Sequence, residues 1–224
     1  MACDFVLVHG TTQTPAGWSR LVAELTVRGH HGVAVDLLAD GPDHDVAGFA
    51  KVARQQCRTT RPVVVAHSGS GVLLPAIGAA LGAAQLVWLA AYIPAFGTGR
   101  SLRDEVAADA DALFHPEWPG VDPTADLAAA DRFLFHDCPP EVRYWAHGTL
   151  RLFNPDVLPT HPAGKRPDIP STVIVPAADR TLRSSWMRAA AHERLGVEFH
   201  EVPGGHCPHV SHPEAVAAVL RVLV

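Results

Sequence analysis

The chain has 224 residues, 48% of them hydrophobic, which suits one domain with a sizeable buried core. Its formal net charge is −5 and the sequence shows no basic patch, so we expect neither nucleic acid nor an anionic membrane as a partner. It contains no apolar run of about eighteen residues and no secretory signal pattern. The widely spaced cysteines are expected to be free thiols in a cytoplasmic protein; they are Cys3, Cys57, Cys138 and Cys207.

The first part of the chain alternates short apolar runs with amphipathic segments. Residues 5–8 predict a buried strand, and a polar turn over 9–13 follows it. The apolar spacing over 15–28 predicts a helix. A second strand over 33–37 and a second helix over 46–58 repeat the pattern.

The next segment joins a β-branched strand, starting at residue 63, to a helix predicted over 72–81. Ser68 stands at the turn among small residues, a layout typical of a nucleophile elbow. Small neighbours are needed because the apex backbone is strained and bulk would collide across the turn. Ala66 and Ser70 stand where the motif usually has glycine. The alternative is that Ser68 only caps the helix.

After a strand predicted over 86–90, the pattern changes. Between residues 96 and 169, aromatic residues alternate with Pro and His without a clear strand, and 127–135 and 141–153 are candidate helices. We predict a helical cap over the strand ends at 96–169, inserted in a core of residues 1–95 and 170–224. Extra helices packed on the core are the alternative.

Alternation resumes with a strand over 172–175, a helix over 184–195, a strand over 197–202 and a closing helix over 213–223. The near-continuous apolar strands predict an α/β fold with a mostly parallel sheet of about six strands, covered by helices on both faces. Because active sites of such sheets lie at the carboxyl ends of the strands, the strand-exit loops should meet at one edge.

Each group that a nucleophilic serine requires follows a predicted strand. Asp179 follows the strand over 172–175, and His206 follows the last strand behind two glycines. A serine nucleophile needs a base to take its proton and an acid to orient that base. The order Ser68, Asp179, His206 is the order of the α/β-hydrolase triad. The alternative for Asp179 is a turn or helix-capping role.

Three segments carry a family resemblance: FVLVHGT at 5–11, WLAAYIP at 88–94 and GGHCPHVSHPE at 204–214. They resemble α/β-hydrolases of the small capped branch that includes plant methylesterases, hydroxynitrile lyases and many bacterial esterases. The resemblance implies the α/β-hydrolase fold without a cofactor. It also implies that the backbone N–H groups of Thr11 and Gly69 form an oxyanion hole.

Some residues depart from the family pattern. Ala90 stands where relatives often have Asp, which favours Asp179 as the acid. The hydroxyls of Thr11 and Thr12 resemble those of hydroxynitrile lyases, but those enzymes also use a Lys near the catalytic His, and here Cys207 follows His206. The candidate substrate pocket comprises Thr12, Trp118, Trp145 and Cys207.

The histidines His206, His209 and His212 recur every three residues, as metal ligands can. Pro208 and Pro213 interrupt the helix that would align them, and no carboxylate cluster joins them. We therefore expect no metal site.

The sequence thus predicts a serine hydrolase that cleaves a carboxylic ester of a small to medium hydrophobic or aromatic molecule. Ser68, His206 and Asp179 would act through an acyl-enzyme. A lyase, thioesterase or cyclase using the same triad is an alternative, and a non-catalytic ligand receptor on the same scaffold is another. The sequence leaves open whether the protein forms a homodimer.

Overall fold

The computed structural model of the chain describes residues 4–223. Within this range the strands are β1 (Asp4–Val8), β2 (His31–Val35), β3 (Val63–His67), β4 (Gln85–Leu89), β5 (Ser171–Pro176) and β6 (Phe199–Val202). They form one parallel sheet in the order β2-β1-β3-β4-β5-β6, which confirms the predicted fold class. Because β3 lies between β1 and β4, the loops after these three strands are neighbours.

Helices cover the sheet in the described range. They are α1 (Ser19–Val27), α2 (Val46–Gln56), α3 (Leu74–Leu81), α4 (Leu102–Leu113), α5 (Leu127–Phe133), α6 (Pro140–His147), α7 (Val157–Thr160), α8 (Ser184–Ala190), α9 (Pro208–Ser211) and α10 (Pro213–Arg221). Short 3₁₀ turns, Pro15–Trp18 and Ser68–Leu73, precede α1 and α3, and a π turn, Ala191–Leu195, extends α8.

Both faces of the sheet are buried because side chains alternate along each strand. In β1, Val6 and Val8 belong to the core cluster that contains residues of α2, α3 and α8. Phe5 and Leu7 belong to the cluster with α1 and α10. All four side chains are fully buried. This cover on both faces explains why the strands are continuous apolar runs.

Residues 96–169, which we call the insert, lie between β4 and β5 and contain α4 to α7. The insert has a small hydrophobic cluster to which the core contributes two residues after β6. Its members are Ala130, Leu134, Phe135, Cys138, Val142, Ala146, Cys207 and Val210. The predicted role of the insert as a cap stays a prediction.

One insert helix differs from the sequence prediction in length. The helix expected over 141–153 is α6, which ends at His147. A turn follows at 148–149, and the backbone of 151–153 then pairs with the loop after β1 instead of continuing the helix. The N–H groups of Arg151 and Phe153 donate to the carbonyls of Thr12 (3.0 Å) and Thr11 (2.7 Å).

A further insert helix, α4, was not predicted. Its start is marked by a capping box, in which the Ser101 side chain accepts from the N–H of Asp104 and the Asp104 carboxylate accepts from the N–H of Ser101. The signal was readable in the sequence, but the polar composition of the helix gives only a weak apolar face.

Among the described residues, no helix has the length and apolar character needed to cross a bilayer. Cys57, Cys138 and Cys207 are buried free thiols, and Cys3 lies outside the described residues.

Candidate active site

Ser68 lies at the sharp turn where β3 ends and the 3₁₀ turn before α3 begins. Its φ is +56°, a left-handed conformation that costs a non-glycine residue on the order of 1–3 kcal/mol. Close packing against the loop after β4 maintains this strained conformation. The N–H of Tyr92 donates to the carbonyl of Ser68 (3.1 Å), and a Cβ added at Gly71 would lie 1.9 Å from the carbonyl oxygen of Tyr92. The turn therefore has the geometry of a nucleophile elbow.

The side chain of Ser68 faces His206 and does not cap the helix. The residue in the N-cap position of the 3₁₀ turn is His67, and it makes no side-chain cap. The Oγ of Ser68 lies 2.9 Å from Nε2 of His206, and Nδ1 of His206 lies 2.8 Å from Oδ2 of Asp179. The structure thus brings Ser68, His206 and Asp179 together from three strand-exit loops.

Asp179 also holds the turn in which it lies, so both sequence interpretations of this residue describe real contacts. Its Oδ1 accepts from the N–H groups of Thr181 (2.7 Å) and Leu182 (3.1 Å), while Oδ2 faces His206. The side chains of Asp179 and His206 are 0% and 2% exposed, so water does not compete for this pair. A buried carboxylate with all these donors is pre-organised to accept from Nδ1–H of the imidazole.

Thr11 and Gly69, the candidate oxyanion donors, lie next to each other beside Ser68. A Cβ added at Gly69 would lie 2.8 Å from Cγ2 of Thr11. Gly69 is the second residue of the helical turn that leads into α3, where backbone N–H groups have no partner within the helix. Such N–H groups at a helix start attract negative charge.

A cavity of about 120 Å³ opens beside Ser68, and its lining carries no charged side chain. The loops after β1, β3, β4 and β5 and the insert all contribute to it. Its lining residues are Thr11, Ser68, Gly69, Tyr92, Leu102, Phe114, Trp118, Thr181 and Leu182.

Of the four residues predicted for the pocket, Trp118 lines this cavity, and Thr12, Trp145 and Cys207 lie elsewhere. Cys207 is fully buried in the hydrophobic cluster between core and insert, and Trp145 packs on that cluster. Thr12 is buried, with its carbonyl engaged by Arg151. The residue after a strand can face either the site or the interior, and sequence spacing alone did not distinguish the two.

The lining residues that the sequence reasoning missed are Tyr92, Leu102, Phe114, Thr181 and Leu182. Two signals were available for some of them. Tyr92 lies in a strand-exit loop that was expected at the site edge, and Thr181 and Leu182 follow the predicted acid directly. Leu102 begins the unpredicted α4 and Phe114 follows it, so no sequence signal placed them.

Behind the site lie two fully buried histidines, His67 and His209. The Nε2 of His67 donates to the carbonyl of His206 (2.8 Å), and Nε2 of His209 donates to Oε1 of Gln13 (3.1 Å). Burial lowers the pKa of His67 well below its usual value and that of His209 to about 3, with neighbouring histidines adding to the effect. Both rings are therefore neutral and act as packing and hydrogen-bonding groups.

The third histidine of the repeating triplet, His212, lies away from this buried pair, 3.6 Å from Oδ2 of Asp137. Pro208 does not break a helix but begins α9, as proline often does at a first turn. In the range 4–223 there is no group of three or more His, Cys, Asp or Glu side chains that could hold a metal ion.

Comparison with known proteins agrees with this architecture. The model of the alpha/beta hydrolase family matches residues 5–219. No curated protein sequence matches the chain. Among solved structures, polyneuridine aldehyde esterase is similar with a TM-score of 0.78 and 20% identity, covering 100% of this chain and 99% of that one.

Two further solved structures are similar over nearly their whole length. A methylesterase from Arabidopsis has a TM-score of 0.75 at 17% identity and covers 99% of each chain. A pyrethroid hydrolase from Sphingobium faniae has a TM-score of 0.74 at 18% identity, covering 99% of this chain and 97% of that one. At these identities the likeness establishes the fold. Because the family model matches almost the entire chain, the protein belongs to the alpha/beta hydrolase family, as its motifs predicted.

Proposed function

We propose that this protein is a serine hydrolase that cleaves a carboxylic ester of a small to medium hydrophobic or aromatic molecule. The observation that carries the proposal is the continuous chain of contacts from Ser68 through His206 to Asp179, 2.9 Å and 2.8 Å, beside an uncharged cavity. Solved structures named as an esterase, a methylesterase and a pyrethroid hydrolase share its fold and support hydrolytic chemistry.

In the proposed reaction, His206 takes the proton from Ser68 as Oγ attacks the ester carbonyl. Asp179 accepts the hydrogen bond from Nδ1–H of His206 and so stabilises the tautomer with its hydrogen on Nδ1. The Nε2 atom is then free to accept the proton of Ser68. The N–H groups of Thr11 and Gly69 stabilise the oxyanion, and His206 then gives its proton to the departing alkoxide. Water hydrolyses the acyl-enzyme with His206 again as base. Loss of one oxyanion donor typically costs on the order of 10²–10³ in rate.

The size and lining of the cavity favour a substrate with a small, uncharged group next to the reacting carbonyl. Its volume, about 120 Å³, is close to that of an apolar cavity of about 150 Å³ that holds benzene. Tyr92 is among its lining residues, and its hydroxyl donates to Oε1 of Glu105 (2.6 Å). We also propose that the insert acts as a cap, since Leu102, Phe114 and Trp118 complete the lining from that segment.

The experiment that tests the function replaces the nucleophile. Ser68→Ala should abolish turnover of p-nitrophenyl acetate and labelling by a fluorophosphonate probe, while the thermal unfolding transition is retained because Ala removes only one hydroxyl. The control is Ser185→Ala at an exposed position on α8, which should behave as wild type. Turnover that survives in Ser68→Ala would refute the mechanism.

The same assay separates the alternatives. Labelling of Ser68 without ester turnover favours a lyase, thioesterase or cyclase that uses the same triad. Absence of both labelling and turnover in the folded wild type favours a ligand receptor.

A further inference from the structure

Thr181 makes contacts that join the acid and the base of the candidate triad. Its Oγ1 lies 2.6 Å from Nδ1 of His206 and 3.0 Å from Oδ1 of Asp179. The side chain is almost fully buried, so water cannot take over these contacts. Within residues 4–223, no other side-chain oxygen forms hydrogen bonds with both Asp179 and His206.

The direction of these hydrogen bonds follows from the chemistry of the groups. An ionised carboxylate only accepts, and a hydroxyl has one hydrogen to donate. The hydroxyl hydrogen of Thr181 therefore goes to Oδ1 of Asp179, and a lone pair of Oγ1 faces Nδ1 of His206. The Nδ1–H of His206 is shared between Oδ2 of Asp179 and Oγ1 of Thr181. Both acceptors require the proton on Nδ1, which leaves Nε2 free toward Ser68.

We infer that Thr181 is a positioning residue for this reaction, an inference that rests on the proposed function. Its hydroxyl closes a ring of hydrogen bonds through Asp179 and His206 that fixes both the tautomer and the plane of the imidazole. When His206 takes the proton of Ser68, the imidazolium carries positive charge at Nδ1, and the Thr181 oxygen stabilises it together with the carboxylate. Hydrogen bonds to charged groups are among the strongest in proteins.

The test compares Thr181→Val, which removes the hydroxyl and keeps the shape, with Thr181→Ser, which keeps the hydroxyl. With p-nitrophenyl acetate as substrate, Thr181→Val should lower kcat on the order of 10- to 100-fold with KM unchanged. Thr181→Ser should restore most of the wild-type kcat. Thermal unfolding checks that each variant is folded, and Thr181→Ala replaces Thr181→Val if the latter does not fold.

A second readout does not need turnover. The proton resonance of the His206 Nδ1–H should be displaced in Thr181→Val and close to the wild-type position in Thr181→Ser. If wild type shows no ester hydrolysis, the proposed function fails, and this resonance still tests the hydrogen-bonded ring. The inference is overturned by an unchanged resonance in Thr181→Val, by an equal loss of kcat in the Val and Ser variants, or by a change confined to KM. The last result would mean that Thr181 contacts the substrate instead.

Discussion

At the scale of single residues, the cavity beside Ser68 is shaped by a few large side chains on the insert. Phe114 and Trp118 are half-buried and line it, whereas Trp145 packs on the hydrophobic cluster between insert and core. Under the proposed function, we expect this cavity to distinguish substrates by size and not by charge.

We predict a preference for short acyl chains, with p-nitrophenyl acetate and butyrate hydrolysed at higher kcat/KM than the octanoate. Phe114→Ala should shift the preference toward longer chains because it enlarges the cavity, by roughly 10-fold in the ratio of kcat/KM values. Trp145→Ala is the matched control: it should lower stability without changing the preference. An unchanged preference in Phe114→Ala would show that the acyl chain lies elsewhere.

A second prediction at this scale concerns Gly71. Ala at this position would bring its Cβ against the backbone carbonyl of Tyr92, at 1.9 Å in the present geometry, and backbone cannot swing aside as a side chain can. Gly71→Ala should lower the free energy of unfolding by about 1–3 kcal/mol or more, and reduce activity by displacing the elbow. Gly164→Ala, where nothing lies within 4 Å of the added Cβ, is the control in urea unfolding.

At the scale of elements, the insert holds the loops of the site. His136 contacts the carbonyl of Ala178 through Nε2 (3.1 Å), next to Asp179. Asp137 accepts from the N–H of Gly205 (2.9 Å), next to His206. Residues 151–153, after α6, form backbone hydrogen bonds with the loop that carries Thr11. Segments far apart in the sequence thus fix the loops that carry Asp179, His206 and Thr11 relative to each other.

We predict that Asp137→Ala lowers the free energy of unfolding by about 1–2 kcal/mol and reduces kcat, because the N–H of Gly205 loses its acceptor. Asp137→Asn keeps an acceptor oxygen, so its free energy of unfolding and its kcat should be close to those of the wild type. Asp156→Ala, at an exposed position without a side-chain cap on α7, is the control. Thermal unfolding and kcat on p-nitrophenyl acetate measure the effects; equal values for wild type and Asp137→Ala would contradict the prediction.

The elements also show what the sequence could and could not predict. The strands and the helices that cover them have strong periodic patterns, because their side chains are buried by the sheet itself. Ser68, Asp179 and His206 follow strands, so topology alone was enough to expect them together. Which insert residues face the cavity depends on contacts between the insert and the core, such as those of Phe153 and Asp137, and no local pattern encodes these.

At the scale of the whole molecule, three titratable groups make folding sensitive to acid. Burial keeps His67 and His209 neutral, with pKa values below those of an unfolded chain. The neighbouring side chains of His9 and Arg151 lower the pKa of Asp36 against the opposing influence of burial. In each case the unfolded chain binds protons at a higher pH than the folded protein does.

We predict that the free energy of unfolding falls as the pH drops below about 6.5, where the unfolded histidines become protonated and the folded ones do not. Each buried histidine should contribute a slope of up to about 1.4 kcal/mol per pH unit. Below about pH 4 the loss of the Asp36 contribution adds to the decline.

Urea unfolding at a series of pH values between 7.5 and 4.5 measures this slope. His209→Gln should reduce the slope of the free energy of unfolding against pH by up to about 1.4 kcal/mol per pH unit, the contribution of one proton. The control is His200→Gln at an exposed position of β6, which should leave the slope unchanged. A slope that is the same in wild type and His209→Gln would contradict the assignment of His209.

Two parts of the insert contact the candidate site in different ways. Residues 136–153 form hydrogen bonds with the loops that carry Thr11, Asp179 and His206, so substitutions there are expected to displace these loops. The stretch from Leu102 to Trp118 contributes side chains to the cavity. This stretch also holds the loop after β5, since the N–H of His115 donates to the carbonyl of Thr181 (2.8 Å). Under the proposed function, a library restricted to the cavity-lining side chains of Leu102, Phe114 and Trp118 should change which esters are accepted, because it leaves this backbone contact in place.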